Sequence, residues 1–264
     1  MCKKYKYFEY LSLVFLCFSS VLLIGMHQYW GYIFLFLGII VTLFCKKDFL
    51  QHILLLYGSL VILTFTDIDT NISYIHMFSM GIYLFFIIFL PWYISCSVYK
   101  TSIVEFKFNF YQKWTQKQKL YILFCMIASY ILIPFYLIHS GAYTNWSVTL
   151  DLSHITRLFI GTNALGIWDE LFFINVVFAI LRRYFSFWTS NIAQGFLFTS
   201  FLFELGFTGW GPLIIYPFAL IQGFIYERTQ SLFYIITIHL TLDFILFLAL
   251  IWSYYPEALD IFLL

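Results

Sequence analysis

Apolar residues run through this chain in long blocks, broken only by short polar or charged punctuation, and the alternation expected of half-buried strands is missing. A membrane-spanning helix needs roughly 20 predominantly apolar residues, because the hydrocarbon core is about 30 Å thick and each residue rises about 1.5 Å. Nine blocks approach that length: 8–26, 29–45, 50–66, 76–98, 120–139, 155–181, 188–206, 211–226 and 231–252. The second, third and eighth are short, so their ends are the least defined. The pattern predicts an all-α, polytopic transmembrane helical bundle of about nine helices, with no room for a separate soluble domain.

Composition agrees. Of 264 residues, 62% are hydrophobic, 24% aromatic and only 10% charged, against roughly 25% charged in ordinary globular domains. A net charge of +1 leaves no field to collect phosphates and excludes a nucleic-acid binder. The expected partners are the lipid bilayer and a membrane protein or peptide. The cysteines, Cys2, Cys17, Cys45, Cys96 and Cys125, lack paired spacing, which argues against a disulfide framework and a cysteine-based zinc site.

Charge orients the nine blocks. With the N-terminus cytoplasmic, thirteen of the 14 basic residues fall inside, from the Lys3, Lys4 and Lys6 start to Arg182, Arg183 and Arg228; Arg157 alone falls outside. The positive-inside rule predicts that asymmetry, and gaining or losing one helix destroys it. The expected arrangement is an integral, multi-pass protein of a prokaryotic plasma membrane, N-terminus in and C-terminus out. The start of the chain reads as an uncleaved anchor, for want of a small-residue cleavage site. The 100–119 segment alternates Phe106, Phe108, Phe110, Tyr111 and Trp114 with lysines. It suits a helix or strand on an anionic leaflet, and equally a solvated loop with interfacial aromatics.

Ionisable groups inside the bilayer are expensive, at least ~2.5–3.5 kcal/mol on insertion scales, and mark function by default. The first five blocks hold few: His52, His76 and His139 lie near helix ends. The later blocks hold Asp169 and Glu170 in the sixth, Glu204 toward the outer end of the seventh, and His239 and Asp243 in the ninth. His239 and Asp243, four apart, share one helix face. Asp169 and Glu170 are adjacent, about 100° apart on an α-helix, so they are not expected to point at one centre. A carboxylate poised by an apolar pocket and an imidazole is the environment of a general base for water. The competing structural reading has each polar group gluing two helices.

The run Asp169-Glu170-Leu-Phe-Phe-Ile174-Asn175 resembles the first motif, EExxxR, of the CAAX-protease and bacteriocin-processing family of intramembrane proteases. Gly223 to Leu232, with Tyr226 and Arg228-Thr229-Gln230-Ser231-Leu232, followed by His239-Leu-Thr-Leu-Asp243, resembles its closing segment, Hxxx(N/D). The resemblance covers about residues 160–250. It divides the chain into a divergent N-terminal transmembrane region 1–154, catalytic-core helices 155–252 and a short tail 253–264. Departures are plain: Asp169 replaces the first Glu, Ile174 the Arg and Asn175 the usual Gly. The middle motif FxxxH reads Phe198-Thr-Ser-Phe-Leu202 without a histidine, and a two-residue shift places Glu204 there.

The resemblance implies an intramembrane endopeptidase that hydrolyses a peptide bond of a membrane-associated protein or peptide. Asp169 would then activate water, with Glu170 as neighbour and substitute. His239 would donate to the oxyanion, and Asp243 would donate when protonated or else orient His239. Glu204 would sit opposite Asp169 as a proton-sharing partner. No cofactor is expected; a zinc or manganese site is the lesser reading, with His239 the lone imidazole of the cluster. Two other classes stay open. One is a non-catalytic relative that binds a membrane peptide as an immunity or accessory factor. The other is a proton- or ion-coupled carrier using the acids as a relay, against which the lack of internal repeats counts.

Overall fold

A computed structural model describes residues 2–263, with side chains described from Tyr5 onward. Lys3 and Lys4 therefore enter the charge argument by sequence alone, and the side chain of Cys2 lies outside the described residues. Nine helical rods form, with no strand among the described residues. They are α1 (Cys2–Ser20, continued by a π turn Val21–Gly25), α2 (Gly31–Thr42), α3 (Lys47–Thr64), α4 (Tyr74–Val98), α5 (Gln116–Ser140), α6 (Leu152–Tyr184), α7 (Phe187–Glu204), α8 (Pro212–Thr229) and α9 (Leu232–Tyr254). The count and order match the nine blocks.

Not every rod has the dimensions of a full span. Five are both long and apolar enough: Tyr5–Gly25 of α1, and α4, α5, α6 and α9. With 12 residues, α2 reaches only about 18 Å, short of the ~30 Å core. It lies against α1 and α3, where a Cβ on Gly38 would collide with the Tyr57 hydroxyl and Phe15. Tyr57 donates to the Ser12 carbonyl at 2.7 Å, pinning this three-helix corner.

Hydrogen bonds between connections sort the bundle's two ends. At one end Arg183 meets Asp48 at the start of α3 (3.2 Å), and Arg182 grips Glu227 near the end of α8 at 2.8 and 3.2 Å. At the other, Asn145 donates to the Gly206 carbonyl at 2.6 Å and Arg157 to the Ile72 carbonyl at 2.9 Å. The basic anchors thus share one end, as antiparallel threading of nine rods requires.

The 100–119 segment forms neither the surface helix nor the strand considered for it. Its backbone is irregular until Gln116 opens α5 behind a Thr115–Gln118 capping box. Residues 107–109 dock on the start of α9: Leu232 and Phe233 N–H donate to the Lys107 and Phe108 carbonyls at 2.9 and 3.2 Å. The segment thereby supplies acceptors to a helix N-terminus whose first N–H groups have no partner within the helix.

Where α6 and α7 pack against α1 and α3, Phe172, Phe173, Val176, Val177, Phe198 and Phe201 are all buried in one apolar cluster, and Trp168 donates its indole N–H to the Leu84 carbonyl at 2.8 Å, tying α6 to α4. Midway along, α6 changes character: residues 170–178 form a π-helix between α-helical Leu152–Asp169 and Ala179–Tyr184. Wide i→i+5 turns of this kind cluster at functional sites, and this one begins at the acid doublet.

Candidate active site

His239 sits at the centre of three carboxylates. Its Nδ1 lies 2.8 Å from Glu170 Oε1. Its Nε2 faces Asp169 Oδ2 at 3.9 Å and Asp243 Oδ1 at 3.7 Å. All four residues are buried: Asp169 is 1% exposed, Glu170 0%, His239 5% and Asp243 7%. The Phe198 and Phe218 rings flank the imidazole at 6.0 and 5.1 Å, so the ring has little room to turn.

Asp169 and Glu170 diverge as their adjacency on the helix implies: Asp169 faces the cavity, while Glu170 makes a hydrogen bond behind the ring, so that the two meet the same imidazole at its opposite nitrogens. The longer Glu170 reaches Nδ1 at the start of the π-helical stretch, while the shorter Asp169, the last residue before it, stays on the Nε2 side.

Glycine supplies the space. A Cβ on Gly166, one turn before Asp169, would lie far inside van der Waals contact of Asp243 Oδ2 and 3.1 Å from His239 Cδ2. Helix α9 approaches α6 closely here because residue 166 has no side chain.

Asp169, His239 and Asp243 form one wall of a cavity of about 390 Å³ between α4, α6 and α9. Its other walls are apolar, with Met80, Leu84, Leu158 and Leu246 prominent, and it extends toward Asp69 and Trp146 at the end away from the basic anchors. Glu170 lies behind the imidazole, off the cavity. Asp169 Oδ1, Glu170 Oε2 and Asp243 Oδ2 are buried without a hydrogen-bonding protein partner. Unpartnered acceptors at such a place are costly, and two of these three belong to side chains that line the cavity.

Glu204 is elsewhere, which corrects its placement opposite Asp169. It lies at the far end of α7, where its carboxylate meets His27 Nε2 at 2.6 Å, beside a separate recess shared with Asp67, Asp69 and His76. Position 202, where the unshifted motif reading puts the missing histidine, does line the central cavity, as a buried leucine. Ile174, in place of the motif arginine, is fully buried in an apolar cluster with Phe178, Tyr226 and Leu232. Among the described residues no three or more His, Cys, Asp or Glu side chains converge as ligands for one metal ion.

Of the interfacial histidines, His52 is fully buried, bonded to Tyr184 Oη at 2.7 Å and Thr101 Oγ1 at 3.0 Å. Two residues of the site escaped the sequence reading. Gly166 gave no signal by itself. Gln222, whose Nε2 donates to Glu170 Oε1 at 2.7 Å, did give one: a wide-polarity amide inside an apolar helix is rarely idle in a membrane.

Residues 151–245 match the family model described as Rce1-like, type II CAAX prenyl endopeptidase Rce1-like. Over that stretch the chain is similar to the CAAX-protease family, in line with the resemblance of its motifs. The matched segment holds the whole carboxylate–imidazole cluster. No curated protein and no solved structure matches the chain.

Proposed function

We propose that this protein is an intramembrane endopeptidase that cleaves a membrane-associated protein or peptide by carboxylate-activated water. The observation that carries the reading is the His239 cluster on the wall of an otherwise apolar cavity within the bundle.

In this reading Asp169 is the general base. It takes a proton from water, and the resulting hydroxide adds to the scissile carbonyl carbon. The tetrahedral oxyanion accepts a hydrogen bond from Nε2–H of the His239 imidazolium, whose Nδ1–H is held by Glu170, and a second from Asp243 in its protonated form. As the C–N bond breaks, the proton held by Asp169 passes to the departing amine. Glu170 makes no contact with substrate: it receives Nδ1–H and holds the imidazole so that Nε2 faces the cavity, as the buried carboxylate does in a catalytic triad. Apolar walls exclude bulk water and accept apolar side chains of the substrate. With the N-terminus and the basic anchors on the cytoplasmic side, as the charge distribution favours, the cavity would extend toward the opposite face.

The test is cleavage of candidate membrane peptides by purified protein, side by side with Asp169→Asn and His239→Ala. Leu202 and Ile174, at positions where the family carries His and Arg, favour a second reading: a non-catalytic relative that retains the cavity for peptide binding. Equal peptide binding by the parent and both variants, with no cleavage by any of them, selects it.

A further inference from the structure

Behind the Glu170–His239 pair lies a hydrogen-bond chain that ends on the backbone of α9. Gln222, fully buried in α8, places Nε2 2.7 Å from Glu170 Oε1 and 3.2 Å from the Ile235 carbonyl oxygen. The orientation of an amide is ordinarily ambiguous, but a main-chain carbonyl only accepts. The group facing Ile235 is therefore the NH₂, and the same NH₂ donates to Glu170. An oxygen that accepts from an amide and lies 2.8 Å from an imidazole nitrogen acts as a carboxylate oxygen, because the hydroxyl oxygen of an acid is a poor acceptor. The remaining partner, His239 Nδ1, must then be the donor.

Ile235 precedes His239 by one helical turn, so the reference point and the imidazole belong to one rigid rod. We infer that Gln222 is a positioning residue that fixes the proton of His239 on Nδ1 and so presents Nε2 to the cavity. The chain runs from the Ile235 carbonyl through the Gln222 amide and the Glu170 carboxylate to the imidazole. Neighbouring geometry supports the role. The next residue is Gly223, at which a Cβ would collide with Asn191 Oδ1 and crowd Gln194 Nε2 at 3.2 Å. Gln194 in turn donates to the Ala219 carbonyl at 2.9 Å, and Asn191 to Leu220 at 2.8 Å. This stretch of α8 is thus clamped to α7 by amides, and Gln222 is held at a fixed depth.

The inference deepens the proposed reaction and rests on it for its kinetic consequence, but its primary readout needs no substrate. In ¹⁵N-labelled protein, the His239 ring nitrogens report which one carries the proton when the ring is neutral. The parent is expected to show the Nδ1–H form. Gln222→Met keeps length and apolar packing but removes the donor, and is expected to populate the Nε2–H form alongside it. Where the enzyme cleaves, the same variant loses about tenfold or more in kcat with KM little changed. Gln222→Leu, which likewise keeps an apolar side chain at this position and removes the donor, serves as the second variant and is expected to show the same mixture of Nδ1–H and Nε2–H forms at a pH where the ring is neutral. An unchanged ¹⁵N pattern in both folded variants overturns the inference. Absence of cleavage in every protein, with the predicted ¹⁵N change present, overturns the protease reading and leaves the positioning role standing.

Discussion

Glu170 and His239, 69 residues apart in sequence, share a 2.8 Å hydrogen bond in the interior of the bundle. It joins the start of a π-helical stretch in α6 to the middle of α9. The bond fixes one nitrogen of the imidazole and leaves the other toward Asp169, Asp243 and the cavity. What the site does depends on this division of the ring into a held side and a working side.

Removing the working groups separates them from the holding group. Asp169→Asn, nearly isosteric, is expected to lower turnover by at least ~10²-fold through loss of the base. His239→Ala is expected to cost roughly 10²–10³ through loss of an oxyanion donor. Glu170→Gln keeps a partner for Nδ1 but not a committed acceptor, so its loss should appear in kcat rather than KM. Steady-state kinetics on one peptide checks all three, and an active Asp169→Asn variant would remove Asp169 from the role of base.

Gly166→Ala tests the close approach of α6 and α9. Its methyl would occupy the place of Asp243 Oδ2, so the helices must part or Asp243 must swing away. Overpacking of this kind costs typically ~1–3 kcal/mol, and activity should fall with stability. Gly161→Ala on the same helix meets only ordinary contacts, Ile72 Cγ2 and Met77 Cε both at 3.7 Å, and should be mild. Thermal melting in detergent that ranked the two alike would count against the geometry.

Metal chelation is expected to leave cleavage within about twofold. One imidazole among carboxylates is a poor anchor for zinc, and the reaction as drawn uses only side chains and water. Activity lost on chelation and restored by zinc or manganese would require a metal-based mechanism instead.

The N-cap of α6 supplies a pH signature away from the membrane interior. Asp151 accepts from the Thr149 hydroxyl and, at 2.9 Å, from the His154 N–H, and these bonds hold its carboxyl below the ordinary value of 3.8. A depressed folded-state value means the cap is fully effective above about pH 4 and weakens as pH falls through the lowered value. Amide exchange in the first turn of α6, corrected for intrinsic rates, should therefore speed up in acid. Asp151→Asn, still a capping residue, should show no such dependence; identical pH profiles would refute the assignment.

Topology is open to a direct check. Reporter fusions near residue 260 are expected outside the cell and fusions near 110 inside. A cytoplasmic result at 260 would break the antiparallel count of nine.

Much of the bundle was legible in the chain because a bilayer imposes a one-dimensional constraint. Apolar length sets where rods run, and lysine and arginine set which ends lie together. The nine rods follow from that alone, although length could not show that α2 stops at 12 residues and packs into a corner. The polar residues His239 and Asp243 were legible for the same reason: nothing but function or pairing justifies them in hydrocarbon.

Other features depended on the packed structure. An α-helical wheel separates Asp169 from Glu170, but it does not show that one imidazole, from a helix 69 residues on, lies between them with a nitrogen toward each. Glu204 read as a member of the cluster because a two-residue shift of the motif put it in the place of the missing histidine, yet it lies at the far end of α7 and meets His27 instead. Gln222 and Gly166 have meaning only through neighbours on other helices: one through the Ile235 carbonyl, the other through the carboxylate of Asp243. Sequence determined which residues enter the membrane and which of them are too polar to be there idly. The depth and rotation of each rod, set by side-chain packing between helices distant in sequence, decided which of those residues meet.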